Sequence, residues 1–121
     1  DLYQPKVESK TEIKKENLDA IFRGMFLVTT GPRGTLRSYF KDFPVNVAAK
    51  SGTAQQSSKR SEHTTFVAFA PLEDPQISVC VIIPFGNGTT GPAPKVAKAA
   101  ISEYLKLDYE SELKSYDTLL H

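Results

Sequence analysis

The chain has 121 residues, enough for one compact domain, with 40% apolar and 24% charged side chains. Fifteen basic and 14 acidic residues leave a net charge of +1, which gives no electrostatic basis for binding nucleic acid or an anionic membrane surface. No segment approaches the roughly 20 apolar residues that span a bilayer, and one cysteine, Cys80, excludes an internal disulfide and a cysteine-rich zinc site. The opening residue Asp1 reads as the start of a cut or processed product, with any membrane anchor in sequence outside it.

Residues 1–14 are polar and irregular, and read as a linker or edge segment. From Lys15 the pattern becomes helical: Leu18, Ile21, Phe22, Met25 and Val28 share one face, with Glu16 and Asp19 near the start. Thr30-Gly31-Pro32-Arg33-Gly34 ends the helix, and Thr35 is placed to cap a short turn reaching Phe40. Pro44 then opens an extended run from Val45 to Ala54, and the polar stretch Gln55–Glu62 reads as a solvated loop.

Two further strands are expected at Thr64–Ala70 and Ile77–Ile83, joined by a turn over Pro71–Pro75. The second is almost unbroken in its apolar character, which predicts a sheet covered on both faces. Cys80 lies inside it and is expected to be a buried, inert thiol. Gly86-Asn87-Gly88 and Gly91-Pro92 mark a turn; a phosphate loop would need a following Lys-Ser/Thr. A last helix is expected over Ala93–Lys106, with Val96, Ala97, Ala100, Ile101, Tyr104 and Leu105 on one side and Pro94 in its first turn. The tail 107–121 is weakly amphipathic. The two histidines, His63 and His121, lie far apart and are not read as ligands, and neither metal nor cofactor is expected. The fold class is therefore α+β: three antiparallel strands flanked by an N-terminal and a C-terminal helix. So thin a core predicts missing neighbours.

The informative stretch is Lys50-Ser51-Gly52-Thr53-Ala54-Gln55, closing the first strand. Side chains alternate along a strand, so Ser51 and Thr53 point to one side and Lys50 to the other. Two hydroxyls two residues apart can hydrogen-bond one carboxylate, with a nearby ammonium supplying the charge. Gly52 carries no side chain, so a substrate backbone can lie close and add to the sheet. Backbone N–H groups of such a strand can face an acyl oxygen. A protective charge on an exposed edge is the plainer reading of Lys50 alone.

Lys-[Thr/Ser]-Gly followed by Thr resembles the third motif of the penicillin-binding proteins and serine β-lactamases. Val47 to Gln55 is similar to the corresponding strand of class B penicillin-binding proteins. Gly24-Met25 and Gly34-Thr35 resemble features that precede it there, and His63 to Pro71 resembles the following strand, with its aromatic-Val-small-Phe-Ala-Pro run. The resemblance covers residues 15–106, taken as the matching core. It implies part of the serine β-lactamase/penicillin-binding transpeptidase fold, and a parent enzyme that cross-links peptidoglycan by serine acyl transfer on the outer side of the bacterial membrane.

On that resemblance Lys50 would hold the active-site hydrogen-bond network, and Ser51 and Thr53 would bind the terminal carboxylate of a D-Ala-D-Ala stem peptide or a β-lactam. Gly52 would admit the substrate, and the Thr53 N–H would be one of two oxyanion donors. The family's Ser-x-Asn is absent from the sequence. Its Ser-x-x-Lys occurs only as Ser38–Lys41 and Ser111–Lys114, both in the wrong place relative to Lys50. The chain by itself is therefore expected to be inactive, and its free sheet edge invites self-association. Two alternatives share some of these features. One is a piece of a β-lactamase or β-lactam sensor; the other is a peptide-binding module whose Lys-Ser-Gly-Thr is coincidental.

Overall fold

The computed structural model describes residues 4, 6–54, 62–86 and 91–107. Among the described residues the elements run in the order α1 (Lys15–Thr30), α2 (Arg37–Phe40), β1 (Ala48–Ala54), β2 (His63–Ala70), β3 (Ile77–Ile83) and α3 (Ala93–Tyr104). Residues 6–14 carry no helix or strand. Most of the loop expected at Gln55–Glu62, the Asn87-Gly88 turn and nearly all of the tail lie outside the described residues.

The strands form one antiparallel sheet in the order β1-β2-β3, so among the described residues β1 and β3 each have one neighbour. Ser51 stands opposite Phe66 and Gly52 opposite Thr65, while Phe66 faces Val81 on the other side. Alternation then divides the side chains between two faces. Val47, Ala49, Ser51, Thr64, Phe66, Ala68 and Ala70 lie on one, and Lys50, Gly52, Thr65, Val67, Cys80 and Ile82 on the other.

The first face is closed. The core gathers Leu36, Phe40, Val47, Ala49, Phe66, Ala68, Ala70, Ala93, Ala97 and Ile101, with Ile77, Val79, Val81 and Ile83 packed against it. Phe40 stacks on Phe66 with ring centroids 6.4 Å apart, and Phe43 meets Phe40 edge-on at 5.7 Å. Each large apolar side chain buried here contributes about 1.5–3 kcal/mol. In α3 the small residues Ala93 and Ala97 let the helix sit close on β2 and β3.

The expected face of α3 is only partly the buried one. Ala97 and Ile101 are enclosed and Leu105 half-buried, but Val96 and Tyr104 are 50% and 59% exposed. A period of 3.6 groups two adjacent stripes, and the sheet takes one of them. The helix ends at Tyr104, and α2 begins after Leu36 with no side-chain cap, so Thr35 does not serve as its N-cap.

The second face corrects two expectations. α1 covers the β1 end, where Phe22 meets Phe69 edge-on at 4.9 Å and Ala48 is fully buried. Beyond it Val67, Cys80 and Ile82 are exposed, Ile82 by 64%. The sheet is thus covered on one face and half of the other, and Cys80 is an exposed thiol. An unbroken apolar run signals two apolar faces but does not say whether a neighbour for each lies in the same chain.

Candidate active-site edge

β1 is held in place by contacts from both of its flanks. At the end of α1 the buried Thr29 hydroxyl hydrogen-bonds the Val47 carbonyl at 2.6 Å, with Phe26 O also 2.9 Å away. The chain between helix and strand is folded back by Leu36 N–H donating to Val28 O at 3.0 Å. That turn needs Gly34: a Cβ there would stand 2.5 Å from Val28 O and 2.6 Å from Leu27 O. On the other flank Leu72 N–H donates to Asn46 O at 2.9 Å, and the Asn46 amide donates to Glu73. This bond holds the Glu73 carboxyl below the usual carboxylate range. Ala70–Pro71, at the start of the same turn, is a cis peptide.

The four residues singled out in the sequence thus sit on the margin strand. Lys50 is exposed, and its ammonium donates to the Ser51 carbonyl of the same strand. Ser51 and Thr53 share the face opposite Lys50, as alternation demands, but differ in access. Ser51 is 9% exposed beside Phe66, whereas Thr53 is open to solvent. Gly52 is half-buried. The space over it, on the Lys50 face, is taken by the Thr65 side chain of β2; a Cβ at Gly52 would collide with Thr65 Oγ1. The glycine is therefore demanded by the sheet itself.

The described Ser-x-x-Lys match is not brought to this edge. Ser38 lies on α2, and Lys41 at its end pairs with Asp42 at 3.7 Å. Ser111–Lys114 falls outside the described residues. His63 stands opposite Ala54 at the end of β1, packs against Phe85 and accepts its N–H at 3.2 Å. Among the described residues no group of His, Cys, Asp and Glu could hold a metal, and no helix is long and apolar enough to cross a membrane. The sequence reading missed Thr29, Asn46 and Thr65. Thr29 sits at the end of a recognised helix, where a hydroxyl often turns back to backbone. Thr65 carries no local signal, because its role depends on cross-strand register.

An edge strand bearing a cation, two hydroxyls and a glycine, braced by a helix end and a hairpin turn, can be matched to known proteins. Residues 2–103 match the penicillin binding protein transpeptidase domain. The chain belongs to the class B penicillin-binding protein transpeptidases. It is 31% identical over 109 residues to penicillin-binding protein 2B of Streptococcus pneumoniae, covering 85% of this chain and 16% of that protein. It is 34% identical over 98 residues to the peptidoglycan D,D-transpeptidase MrdA of Escherichia coli, covering 69% and 15% respectively. The crystal structure of Pseudomonas aeruginosa penicillin-binding protein 2 superposes with a TM-score of 0.73 at 36% identity, over 88% of this chain and 24% of that one. Penicillin-binding protein 2B of S. pneumoniae superposes at 0.71 with 28% identity, over 93% and 19%. The chain therefore spans about one sixth of the length of these curated relatives, and its three-stranded α+β arrangement is part of the penicillin-binding transpeptidase fold.

Proposed function

We propose that this transpeptidase segment supplies the acyl-donor wall of a serine D,D-transpeptidase that cross-links peptidoglycan stem peptides on the extracytoplasmic face of a bacterial membrane. The observation that carries the reading is the margin position of β1, which puts Lys50-Ser51-Gly52-Thr53 on an outer strand of the sheet. Ser51 and Thr53 hydroxyls bind the terminal carboxylate of a D-Ala-D-Ala peptide, and the same contacts serve the carboxylate of a β-lactam. Lys50 supplies positive potential and, released from the Ser51 carbonyl, a donor to the catalytic hydrogen-bond network. The Thr53 N–H stabilises the oxyanion, a contact whose loss typically costs ~100- to 1,000-fold in rate.

In the whole domain a serine outside these 121 residues attacks the carbonyl of the penultimate D-Ala. The C–N bond breaks, the serine proton passes to the departing amine, and D-Ala leaves. An acceptor amine then attacks the ester, forming the cross-link and restoring the serine hydroxyl. A β-lactam enters the same first step, but its leaving nitrogen stays tethered. No Ser-x-Asn is present in this chain, and the Ser38–Lys41 match lies on α2 with Lys41 paired to Asp42, so the isolated chain does not perform acyl transfer. With both outer strands lacking a second strand neighbour among the described residues, it self-associates through a sheet edge.

Fluorescent penicillin tests this reading. The 121 residues alone should remain unlabelled, and the same residues within their complete domain should be labelled covalently. Labelling of the short chain, or none of the complete domain, would refute the assignment.

A further inference from the structure

We propose that Thr65 is a further residue of the acyl-donor site, offering its hydroxyl to a hydrogen-bonding group of the substrate through the opening that Gly52 leaves in β1. This rests on the transpeptidase reading of that edge.

Three observations meet at this point. The first is register: Gly52 pairs directly with Thr65, Lys50 with Val67 and Ala54 with His63. Lys50, Gly52 and Thr65 therefore share one face of the sheet, opposite to Ser51 and Thr53. The second is reach. Thr65 stands on the inner strand, where a side chain on β1 would ordinarily screen it from the margin. Here the residue in front is glycine, and Thr65 Oγ1 fills the volume its Cβ would need. The hydroxyl thus leans out over the margin strand.

The third observation is that this hydroxyl is unengaged. Thr65 is half-buried, yet its side chain makes no hydrogen bond among the described residues. Its cross-strand partners on that face are the glycine and, on β3, the aliphatic Ile82; on β2 it is flanked by Val67 and by His63, whose Nδ1 accepts from Phe85 N–H, and Lys50 lies diagonally beside it. Aliphatic side chains cannot satisfy a hydroxyl, and a half-buried one without a partner is costly unless water or a ligand supplies it. A hydroxyl that can both donate and accept, leaning over a glycine beside an ammonium, suits an amide or hydroxyl group of a bound peptide. An acyl donor lying along β1 is then held from both faces: Ser51 and Thr53 take its carboxylate on one, and Lys50 and Thr65 line the other.

The test uses the complete domain containing these residues, with Thr65→Val and Thr65→Ser compared with the parent. Valine keeps the shape and strand propensity of threonine and removes only the hydroxyl; serine keeps the hydroxyl and removes the methyl. Fluorescent penicillin acylation is followed by stopped flow over a range of concentrations, which separates the dissociation constant from the acylation rate constant. Thr65→Val should lower the second-order rate constant about 3- to 10-fold, the loss expected for one neutral hydrogen bond, while Thr65→Ser stays within about twofold of the parent. Valine acylated at the parental rate would overturn the proposal, as would serine falling as far as valine, since methyl packing would then be the cause. A parent domain that penicillin does not acylate would instead remove the transpeptidase reading on which the proposal stands.

Discussion

The two faces of the sheet differ in how far this chain completes them. On the Phe66 face α3, α2 and the strand interiors enclose Phe66, Leu36, Ile101 and Val47 to 2% exposure or less. On the Lys50 face α1 covers the β1 side and meets β2 at Phe69, while Val67, Cys80 and Ile82 stand exposed. The finished face holds the structure together, and the unfinished one carries Lys50 and Thr65. Ser51 and Thr53 belong to the packed side of the margin strand, Thr53 at its exposed end, so the edge draws its polar groups from both faces.

The sharpest way to break this contrast is to truncate one apolar side chain on each face. Phe66→Ala should cost about 3–5 kcal/mol in urea unfolding, a large part of what a small domain has. Ile82→Ala, on the open face, should change stability by about 0.5 kcal/mol or less. Equal losses would mean that the Lys50 face is packed in solution.

Next in size is the contact between Gly52 and Thr65. Gly52→Ala should destabilise by about 1–3 kcal/mol through overpacking, and adding Thr65→Ala should recover most of it. A double-mutant cycle with no coupling would show that Thr65 does not occupy the space over the glycine. Thr29→Val should cost about 1–2 kcal/mol, since it leaves the Val47 carbonyl without its hydroxyl partner; a neutral result would remove Thr29 as the tie between α1 and β1.

The smallest effect is on acid stability. The Asn46 hydrogen bond lowers the Glu73 pKa, and the hydrogen bond and charge of Lys106, at 2.5 Å, lower that of Glu103. Carboxyls depressed in the folded state stabilise it above their ordinary value of 4.5, and that contribution fades as pH falls through the lowered values. Melting temperature should therefore drop slightly on acidification below pH 4.5, and Glu73→Gln should flatten part of that drop. An unchanged profile in Glu73→Gln would show that the Asn46 contact is not maintained in solution.

Much of this was readable from local pattern. Pro44 marked the extended run that holds β1, β-branched and aromatic residues marked β2, an apolar run marked β3, Gly31 and Gly34 marked the end of α1, and Lys50-Ser51-Gly52-Thr53 marked the edge through its likeness to one family. What escaped depends on partners distant in sequence. Cys80 looked buried because its strand is apolar throughout, but burial is decided by which face α1 and α3 cover. Val96 and Tyr104 looked like core because helical period groups them with Ala97 and Ile101. Gly52 looked like a concession to substrate alone, and only the register that sets it opposite Thr65 reveals the second demand on it.

The claim on which the account turns is that the β1 margin grips the substrate carboxylate with Ser51 and Thr53. The decisive measurement is the second-order rate of penicillin acylation in the complete domain carrying Ser51→Ala together with Thr53→Val. Losing two hydrogen bonds to a charged group predicts a fall of at least about 100-fold. A rate equal to that of the parent would contradict the account.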